Sequence, residues 1–372
     1  MQLLLPPVRL TGATVLRDGK MQNRSIGIDR GRIAKGPFPA IDLAGYFILP
    51  GIVNLHGPAL DPFAGGQPTS VAAHLAEQAH RAAAEGVTTT WLPLNWGQLA
   101  AQDGAGAALW QDTALALTAD QRDEAGTDLR VQLRVSPEDH TGASHLLAAL
   151  RRYGVDQVII AGAPTFEQIT RAATARHLCQ LAEAFDILGV RYGSCGDETA
   201  EQREHYAMIG AGICQFPRNN APAAAARAMG DAVVLDADHV LQAADGQGDA
   251  SLLRHILSDT RCALASAQGG HRLIEVAFGL VERGVMPLPR AWALLSRRPA
   301  EIMRLVDRGH IDLGRRADLV VLHKGSLQVE AVLSAGRLSY LAGEAVQRFA
   351  HLQTFAPRVP NPVQQAGVQT TA

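Results

Sequence analysis

The sequence predicts an α/β protein, with a (β/α)8 TIM-like barrel and a small β-sandwich formed by both termini. Three observations support this. Short apolar runs alternate with helical patterns through the middle of the chain, both ends are rich in short strands, and 372 residues suit one barrel of about 250 residues plus a satellite domain. The expected boundaries are 1–50 with 306–350 for the composite sandwich, 51–305 for the barrel and 351–372 for a tail.

The barrel is predicted from eight apolar runs of the length expected for buried parallel strands. Repeated alternation of such strands with helices is typical of a parallel sheet, and eight of them can close on themselves. The predicted strands are 51–56, 88–93, 130–135, 157–161, 190–194, 212–216, 232–235 and 262–266.

Helical patterns lie between several of these runs. Residues 72–85, 144–153 and 173–188 place apolar residues at helical spacing, and the patterns stop at Gly86, Gly154 and Gly189. Glycine just after a helical pattern is a common helix end, because it adopts a left-handed conformation at little cost.

The two ends of the chain carry the predicted sandwich. Strands are expected at 9–16, 25–29 and 32–34, and again at 317–322, 331–334 and 337–341. After residue 351, Pro357, Pro360 and Pro362 disfavour regular structure, so the tail is expected either to wrap the surface or to be mobile.

Bulk composition excludes several classes of function. With 34 basic and 36 acidic residues and a net charge of -2, the chain shows no sign of a nucleic-acid or membrane-surface protein. The four cysteines form no CxxC pair and are too few for a disulfide scaffold. The proline-broken start does not resemble a signal peptide, so a cytoplasmic location is expected.

Motifs at both ends of the predicted barrel carry a family resemblance. LPGIVNLH (49–56) enters the first strand, and RPAEI (298–302), DRGHI (307–311) and GRRADLV (314–320) follow the last helix. These segments resemble the entry strand and the NPA…GxIxxGxxADLV ending of the amidohydrolase superfamily. VQLRVS (131–136), SCGDET (194–199), QFPRN (215–219) and ASAQ (265–268) are similar to segments of its phosphonate-utilisation branch, which releases diphosphate from ribose 1-methylphosphonate 5-triphosphate.

The resemblance implies a metal-dependent hydrolase, but most of the family's metal ligands are missing. Only His56 is retained. The other family positions hold Asn54, Pro58, Ser136, Cys195 and Ala267, and residues 245–248 (DGQG) lack the histidine of the matching stretch. Two adjacent cations need several anionic ligands, so no cofactor is predicted; any metal would be a single divalent ion such as zinc at His56 and Cys195.

Ten residues are candidates for the site, because function on a barrel gathers where the strands end. The candidate catalytic residues are His56, Cys195, Asp197, His239 and His271, and the candidate ligand-binding residues are Arg134, Arg218, Asn219, Asp236 and Gln268.

Each candidate also has a plainer interpretation. His56 could be a hydrogen-bonded barrel histidine, Cys195 a packing residue and Asp197 a helix cap. The arginines could form rim salt bridges, and the polar residues after strands seven and eight could be a hydrated loop. Elsewhere, His140, His145, His177 and His205 are expected at the surface.

Two hypotheses for function remain open. The chain is either a hydrolase with an altered or lost activity or a non-catalytic homologue that binds a ligand or a partner in phosphonate metabolism. The expected partner is a phosphorylated sugar or phosphonate, and a homodimer is compatible with the resemblance.

Overall fold

The computed structural model describes residues 3–60, 70–96, 105–121, 126–140, 142–162, 164–258 and 261–353. Within them, eight parallel strands and their helices form a nearly closed barrel beside a separate β-sheet domain, which confirms the predicted fold. The residues of the predicted tail from 354 onward lie outside the described part.

All eight barrel strands form where the apolar runs predict them. They are β9 (Ile52–Asn54), β10 (Val87–Asn95), β11 (Asp128–Val135), β12 (Gln157–Ile160), β13 (Arg191–Cys195), β14 (Ile213–Gln215), β15 (Ala232–Asp236) and β16 (Cys262–Ala265). Each pairs in parallel with the next, in chain order from β9 to β16. Parallel strands place all their carboxyl ends at one face, called here the barrel mouth.

The barrel closes through a loop instead of a direct ladder between β9 and β16. Val53 N donates to Leu295 O at 2.8 Å, and Leu264 N donates to Leu294 O at 3.0 Å. Asn54 adds a side-chain bridge, donating from Nδ2 to Ser266 O at 2.8 Å and accepting from Ser266 N at 3.2 Å. Residues 294–295 and Asn54 therefore join the first and last strands.

Helices surround the barrel and end close to the predicted positions. The described helices are α1 (Val71–Ala84), α2 (Ala105–Gln121), α3 (Ala143–Tyr153), α4 (Phe166–Thr170), α5 (Ala172–Leu188), α6 (Ala200–Met208), α7 (Asn220–Met229), α8 (Ala237–Ala244), α9 (Ser251–Leu257), α10 (Gly270–Glu282), α11 (Leu288–Ala293), α12 (Arg297–Ile302) and α13 (Ala345–Gln353). Gly154 and Gly189 end α3 and α5 with φ of 59° and 69°, which confirms the predicted glycine ends. Helix α13 continues past 351, where a tail was expected to begin.

The second domain combines strands from both termini in two sheets. Its strands are β1 (Leu3–Leu4), β2 (Val8–Thr11), β3 (Thr14–Arg17), β4 (Lys20–Asn23), β5 (Ile26–Asp29), β6 (Arg32–Ala34), β7 (Ala40–Asp42), β8 (Tyr46–Pro50), β17 (Leu319–His323), β18 (Val329–Ser334) and β19 (Arg337–Leu341). One sheet has the order β1-β19-β18-β17-β8-β3-β4 and the other β6-β5-β2-β7. Their inner faces bury an apolar core that includes Val8, Ile28, Ile48 and Leu319.

The single strand expected at 9–16 is wrong. Gly12 divides it into β2 and β3, with a φ of 76°. A Cβ on Gly12 would also lie within 3 Å of the backbone nitrogen of Ala44. The chain therefore needs glycine there to pass from one sheet to the other.

A buried ionic cluster joins the barrel to the chain that leads back to β17. Arg308 Nη1 donates to Asp128 Oδ2 at 2.7 Å and to Thr89 Oγ1 at 2.9 Å, and Arg308 is only 6% exposed. Arg130 also pairs with Asp128, at 2.9 Å, and its guanidinium lies over the Trp91 ring. These contacts hold the segment around Arg308, which leads to β17, against β10 and β11.

The helices within the described ranges include none that is long and apolar enough to cross a membrane. All four cysteines are free thiols, as the sequence leads us to expect.

Candidate functional site

Several candidate residues lie at the barrel mouth because their strands end there. Arg134 is near the end of β11 and Cys195 is the last residue of β13, while His56 follows β9 by two residues. His56 and Arg134 are partly buried, so both remain within reach of solvent.

Three glutamines lie in the barrel interior next to His56 and form hydrogen bonds there. Gln132 Nε2 faces Leu55 O at 3.0 Å, Gln157 Oε1 at 3.1 Å and Gln215 Oε1 at 3.3 Å. The three amides are at most 1% exposed. A buried amide needs hydrogen-bond partners, and these glutamines supply them to one another.

His56 completes this network through Nδ1. That nitrogen lies 3.1 Å from Gln132 Oε1 and 2.8 Å from Gln215 Nε2. A single ring nitrogen cannot donate a hydrogen to Gln132 Oε1 and accept one from Gln215 Nε2 at the same time. The shorter contact favours a lone pair on Nδ1, which places the ring hydrogen on Nε2. Within the described part of the chain, Nε2 has no hydrogen-bond partner.

The surroundings keep His56 neutral. Burial, followed by repulsion from the Arg134 guanidinium, lowers the pKa of His56 from 6.5 to about 4, although the Gln132 hydrogen bond acts in the opposite direction. The Phe216 ring packs edge-on against the imidazole with 4.9 Å between ring centroids. Phe216 has a φ of 50°, an uncommon conformation for a bulky residue, which often marks a functional site.

Arg134 interacts with both His56 and Cys195: its charge acts on the imidazole, and its guanidinium contacts the thiol. Its Nη2 lies 3.7 Å from Cys195 Sγ. Burial nevertheless raises the pKa of the Cys195 thiol, with Arg134 and the more distant Arg218 opposing that shift. A protonated thiol is a poor nucleophile and a poor zinc ligand, so the environment disfavours both roles for Cys195.

Asp197 is buried and belongs to a structural network. Ser194 Oγ donates to its Oδ2 at 2.6 Å, and the fully buried guanidinium of Arg203 lies 3.6 Å from the same oxygen. Burial raises the pKa of Asp197, and Arg203 opposes this. The helix-cap interpretation is wrong, because Thr199 accepts from Gln202 N and caps α6.

The other rim candidates have mostly local partners. Asp236 caps α8 by accepting from Asp238 N and His239 N. Gln268 Nε2 donates to Asp238 Oδ2 at 2.7 Å. The side chains of His239 and His271 are exposed.

Asn219 and Arg218 differ in their contacts. Asn219 caps α7 through Oδ1 and donates from Nδ2 to Glu198 O at 2.9 Å, so both ends of its amide are engaged. Arg218 is exposed, and its Nε would lie 3.7 Å from a Cβ placed on Gly196, the residue after Cys195. Arg218 therefore lies beside the residue that follows Cys195, and its charge acts on the Cys195 thiol.

The residues at the mouth do not fit a binuclear metal centre. His56 Nδ1 lies within hydrogen-bond distance of two amides, burial raises the pKa of the Cys195 thiol, and Pro58, Ser136 and Ala267 offer no anionic donor. Across the described ranges, no three His, Cys, Asp or Glu side chains form a group that could hold a metal ion. A divalent cation beside His56 would also be repelled by Arg134, which already disfavours a single positive charge on the imidazole.

The cluster of Gln132, Gln157 and Gln215 was not predicted from the sequence. A signal was present, because each is a lone amide within a run of residues expected to be buried. The expected surface position of His177 is also wrong. It is 7% exposed and packs against His140, with 4.7 Å between ring centroids.

Two large cavities lie away from the mouth, between barrel and sandwich. One of about 860 Å³ is bordered by α10 and the β18–β19 strands and includes His271. The other, of about 740 Å³, is bordered by the β3–β4 turn, α11 and α12. Neither includes His56, Arg134 or Cys195.

Comparison with known proteins supports the family resemblance. No family model matches the chain. Over 363 residues it is 24% identical to the alpha-D-ribose 1-methylphosphonate 5-triphosphate diphosphatase of Escherichia coli (strain K12), covering 87% of this chain and 94% of that protein. The similarity to the phosphonate branch therefore extends over most of both chains.

Solved structures show the same fold at lower identity. The chain superposes on an N-acetyl-D-glucosamine-6-phosphate deacetylase from Mycobacterium smegmatis with a TM-score of 0.67 at 18% identity, covering 90% of this chain and 100% of that one. An amidohydrolase matches with a TM-score of 0.63 at 15% identity, over 91% and 100% of the two chains. The predicted resemblance is thus confirmed in fold, and the similarity to the curated diphosphatase supports it in sequence.

Proposed function

We propose that this protein is a homologue of metal-dependent hydrolases that has lost metal-dependent hydrolysis and binds a small anion at the barrel mouth. The observation that carries the proposal is the position of Arg134, which faces His56 and Cys195 where the family resemblance places metal ligands. A fixed positive charge there favours an anion and opposes a metal ion.

The hydrogen-bond donors at the mouth suit an oxyanion. Within the described residues, neither Arg134 nor Arg218 forms a salt bridge with a carboxylate, so their guanidinium groups remain available. Guanidinium binds phosphate and related groups through two parallel hydrogen bonds. The Nε2–H of His56 would add a neutral donor to the same group.

The relatives indicate the class of ligand. One is named for a ribose methylphosphonate triphosphate, and the structure of another was solved in complex with a phosphorylated amino sugar. We therefore propose that the ligand is a sugar phosphate or a phosphonate, and that the protein acts in phosphonate metabolism.

The environment of Cys195 argues against a metal-free hydrolase that uses this thiol. Attack by sulfur requires a thiolate, and burial stabilises the thiol form. His56 is a weak base with a pKa of about 4 and, with its hydrogen on Nε2, presents a donor to the mouth. Both features suit ligand binding better than nucleophilic catalysis.

The test is calorimetric titration with ribose 5-phosphate and with methylphosphonate. We expect Arg134→Gln to weaken binding roughly 10- to 100-fold, since a charge-assisted hydrogen bond contributes about 1.5–3 kcal/mol. Arg151→Gln is the matched control, because Arg151 is an exposed arginine on α3 outside the mouth. It should bind as the wild type does.

The metal content of the purified protein is a measurement that can contradict the proposal. If protein purified without chelator holds about two divalent ions per chain, and zinc or manganese raises its melting temperature, the proposal is wrong. Failure of both anions to bind the wild type would also reject it.

A further inference from the structure

We propose that Gln215 is a positioning residue that determines which group His56 offers to the barrel mouth. Its amide keeps the imidazole hydrogen on Nε2, so that the mouth presents a hydrogen-bond donor and selects an anion. The effect of Gln215 on the His56 tautomer depends only on contacts inside the barrel, whereas its effect on ligand choice rests on the proposed function.

The orientation of the buried amides starts from a backbone group that can only accept. Gln132 Nε2 lies 3.0 Å from Leu55 O. The nitrogen of the Gln132 amide therefore points to Leu55, and its oxygen lies 3.1 Å from His56 Nδ1. Turning this amide round would place its oxygen against the Leu55 carbonyl, and a buried hydrogen bond would be lost.

The Gln132 amide in turn orients Gln215. The Gln215 atom that faces Gln132 Nε2, at 3.3 Å, is the oxygen, because two amide nitrogens placed there would point hydrogens at each other. The Gln215 nitrogen is then on the side of His56, 2.8 Å from Nδ1. Both amides are at most 1% exposed, so bulk water does not reach a mismatched contact.

His56 Nδ1 therefore lies between an acceptor and a donor, and it can satisfy only one of them. A hydrogen on Nδ1 would bond to Gln132 Oε1, but it would share the 2.8 Å gap to Gln215 Nε2 with an amide hydrogen. A lone pair on Nδ1 satisfies Gln215 and leaves two acceptors facing each other at the longer distance of 3.1 Å. A mismatch costs more at the shorter distance, so the contact with Gln215 determines the tautomer.

The tautomer determines which ligands the mouth accepts. With its hydrogen on Nε2, His56 adds a neutral donor to the positive charge of Arg134, and both suit the oxygen atoms of a phosphate or phosphonate. With its hydrogen on Nδ1, Nε2 would present a lone pair that repels those oxygens. Gln215 is buried, so it acts on ligand choice through His56.

Nuclear magnetic resonance of protein isotope-labelled at the histidine nitrogens tests the tautomer, because the two neutral forms give different nitrogen shifts. The chain has 13 histidines, and the His56 signals are those absent from His56→Asn. At neutral pH we expect the hydrogen on Nε2 in the wild type. In Gln215→Met we expect it on Nδ1, where the Gln132 oxygen remains as the partner.

Gln157→Met is the matched control. Gln157 is an equally buried barrel amide, and it bonds to Gln132 instead of His56. Its loss should leave the hydrogen of His56 on Nε2. A general effect of removing a buried amide would change both variants alike.

Calorimetric titration with methylphosphonate measures the effect on ligand choice. Gln215→Met should bind it at least roughly 10-fold more weakly than the wild type, since a hydrogen bond to a charged group is replaced by a repulsive contact. Gln157→Met should bind it about as tightly as the wild type does. Equal binding by Gln215→Met and the wild type would overturn the effect on ligand choice.

The remaining outcomes separate this proposal from the proposed function. A hydrogen on Nδ1 in the wild type, or one that stays on Nε2 in Gln215→Met, would reject the role of Gln215 even if methylphosphonate binds. If the tautomers change as expected but neither methylphosphonate nor ribose 5-phosphate binds the wild type, the proposed function is wrong and the role of Gln215 stands. Should Gln215→Met fail to fold, as judged by its melting temperature, Gln215→Leu replaces it.

Discussion

His56 is the metal-ligand position that the family resemblance leaves intact, and in the structure its partners are amides. Its Nδ1 contacts Gln132 and Gln215 inside the barrel, and Arg134 lies close enough to disfavour its charged form. The motif around His56 correctly placed it at the end of the first barrel strand. The motif could not show the amides beneath it, because they come from strands far apart in sequence.

The low pKa of His56 makes stability depend on pH. The folded protein holds the imidazole neutral down to a pH of about 4, whereas the unfolded chain protonates it near 6.5. The unfolded state therefore binds more protons between these values, and the stabilisation present above pH 6.5 is lost as pH falls toward 4. The wild type should lose about 2–3 kcal/mol more than His56→Asn between pH 6.5 and 4.5.

Urea unfolding at several pH values measures this difference. His239→Asn serves as the control, because His239 is exposed, and it should follow the wild type. Parallel pH profiles for the wild type and His56→Asn would contradict the burial and charge effects described for His56.

At the scale of residues, the sequence indicated which residues lie at the barrel mouth better than it indicated which contacts they make. Residue spacing placed Arg134 and Cys195 near strand ends, where the structure brings them to 3.7 Å from each other. The role of Asp197 was not predictable, because its partner Arg203 lies on the outer helix α6, and no local pattern marks that arginine as fully buried.

At the scale of elements, barrel closure depends on a side chain in place of a strand ladder. Asn54 stands where the family has an acid, and its amide both donates to and accepts from the backbone of Ser266. An aspartate could not donate to Ser266 O. The amide of Asn54 thus forms a bridge between β9 and β16 that a carboxylate could not form.

We expect Asn54→Asp and Asn54→Ala each to destabilise the protein by about 2–3 kcal/mol, since a buried hydrogen bond is lost and a backbone group is left unpaired. Chemical unfolding followed by circular dichroism measures the change. Asn95→Ala is the matched control, because Asn95 ends β10 with an exposed side chain. If Asn54→Asp is as stable as the wild type, the bridge does not close the barrel.

Strand positions were predictable from the sequence because each barrel strand is buried on both faces, which makes it a continuous apolar run. The positions of the sandwich strands were less predictable from the sequence. β1, β4, β7 and β8 were not predicted, and Gly12 divided a run that had looked continuous. Short strands in a two-sheet domain depend on distant partners, which local composition does not reveal.

At the scale of the whole molecule, barrel and sandwich share a buried ionic connection. Arg308, on the chain returning to β17, reaches Asp128 and Thr89 on two barrel strands. Burying a charge is costly unless it is paired, and Arg308 is one of two guanidinium groups that pair with the buried Asp128, the other being Arg130. The connection therefore links the stability of one domain to the other.

We expect Arg308→Met to destabilise the protein by about 1.5–3 kcal/mol, because Asp128 loses one charge-assisted hydrogen bond but keeps Arg130 as a partner. All four tryptophans lie in the barrel portion of the sequence, so their fluorescence reports on the barrel, whereas far-ultraviolet circular dichroism reports on both domains. The two signals should change together in the wild type. Arg24→Met, an exposed arginine, is the control. A loss of less than 1 kcal/mol in Arg308→Met would show that the connection is not stabilising.

The loop that closes the barrel has a consequence for synthesis on the ribosome. Val53 is made early, yet the carbonyl that accepts its amide belongs to Leu295, 242 positions later. Until that residue emerges, the first strand has one edge without its native partner, and unpaired edges promote misassociation of nascent chains. Truncations that end before Leu294 should therefore aggregate, while those that include α12 and the return to β17 can close the barrel.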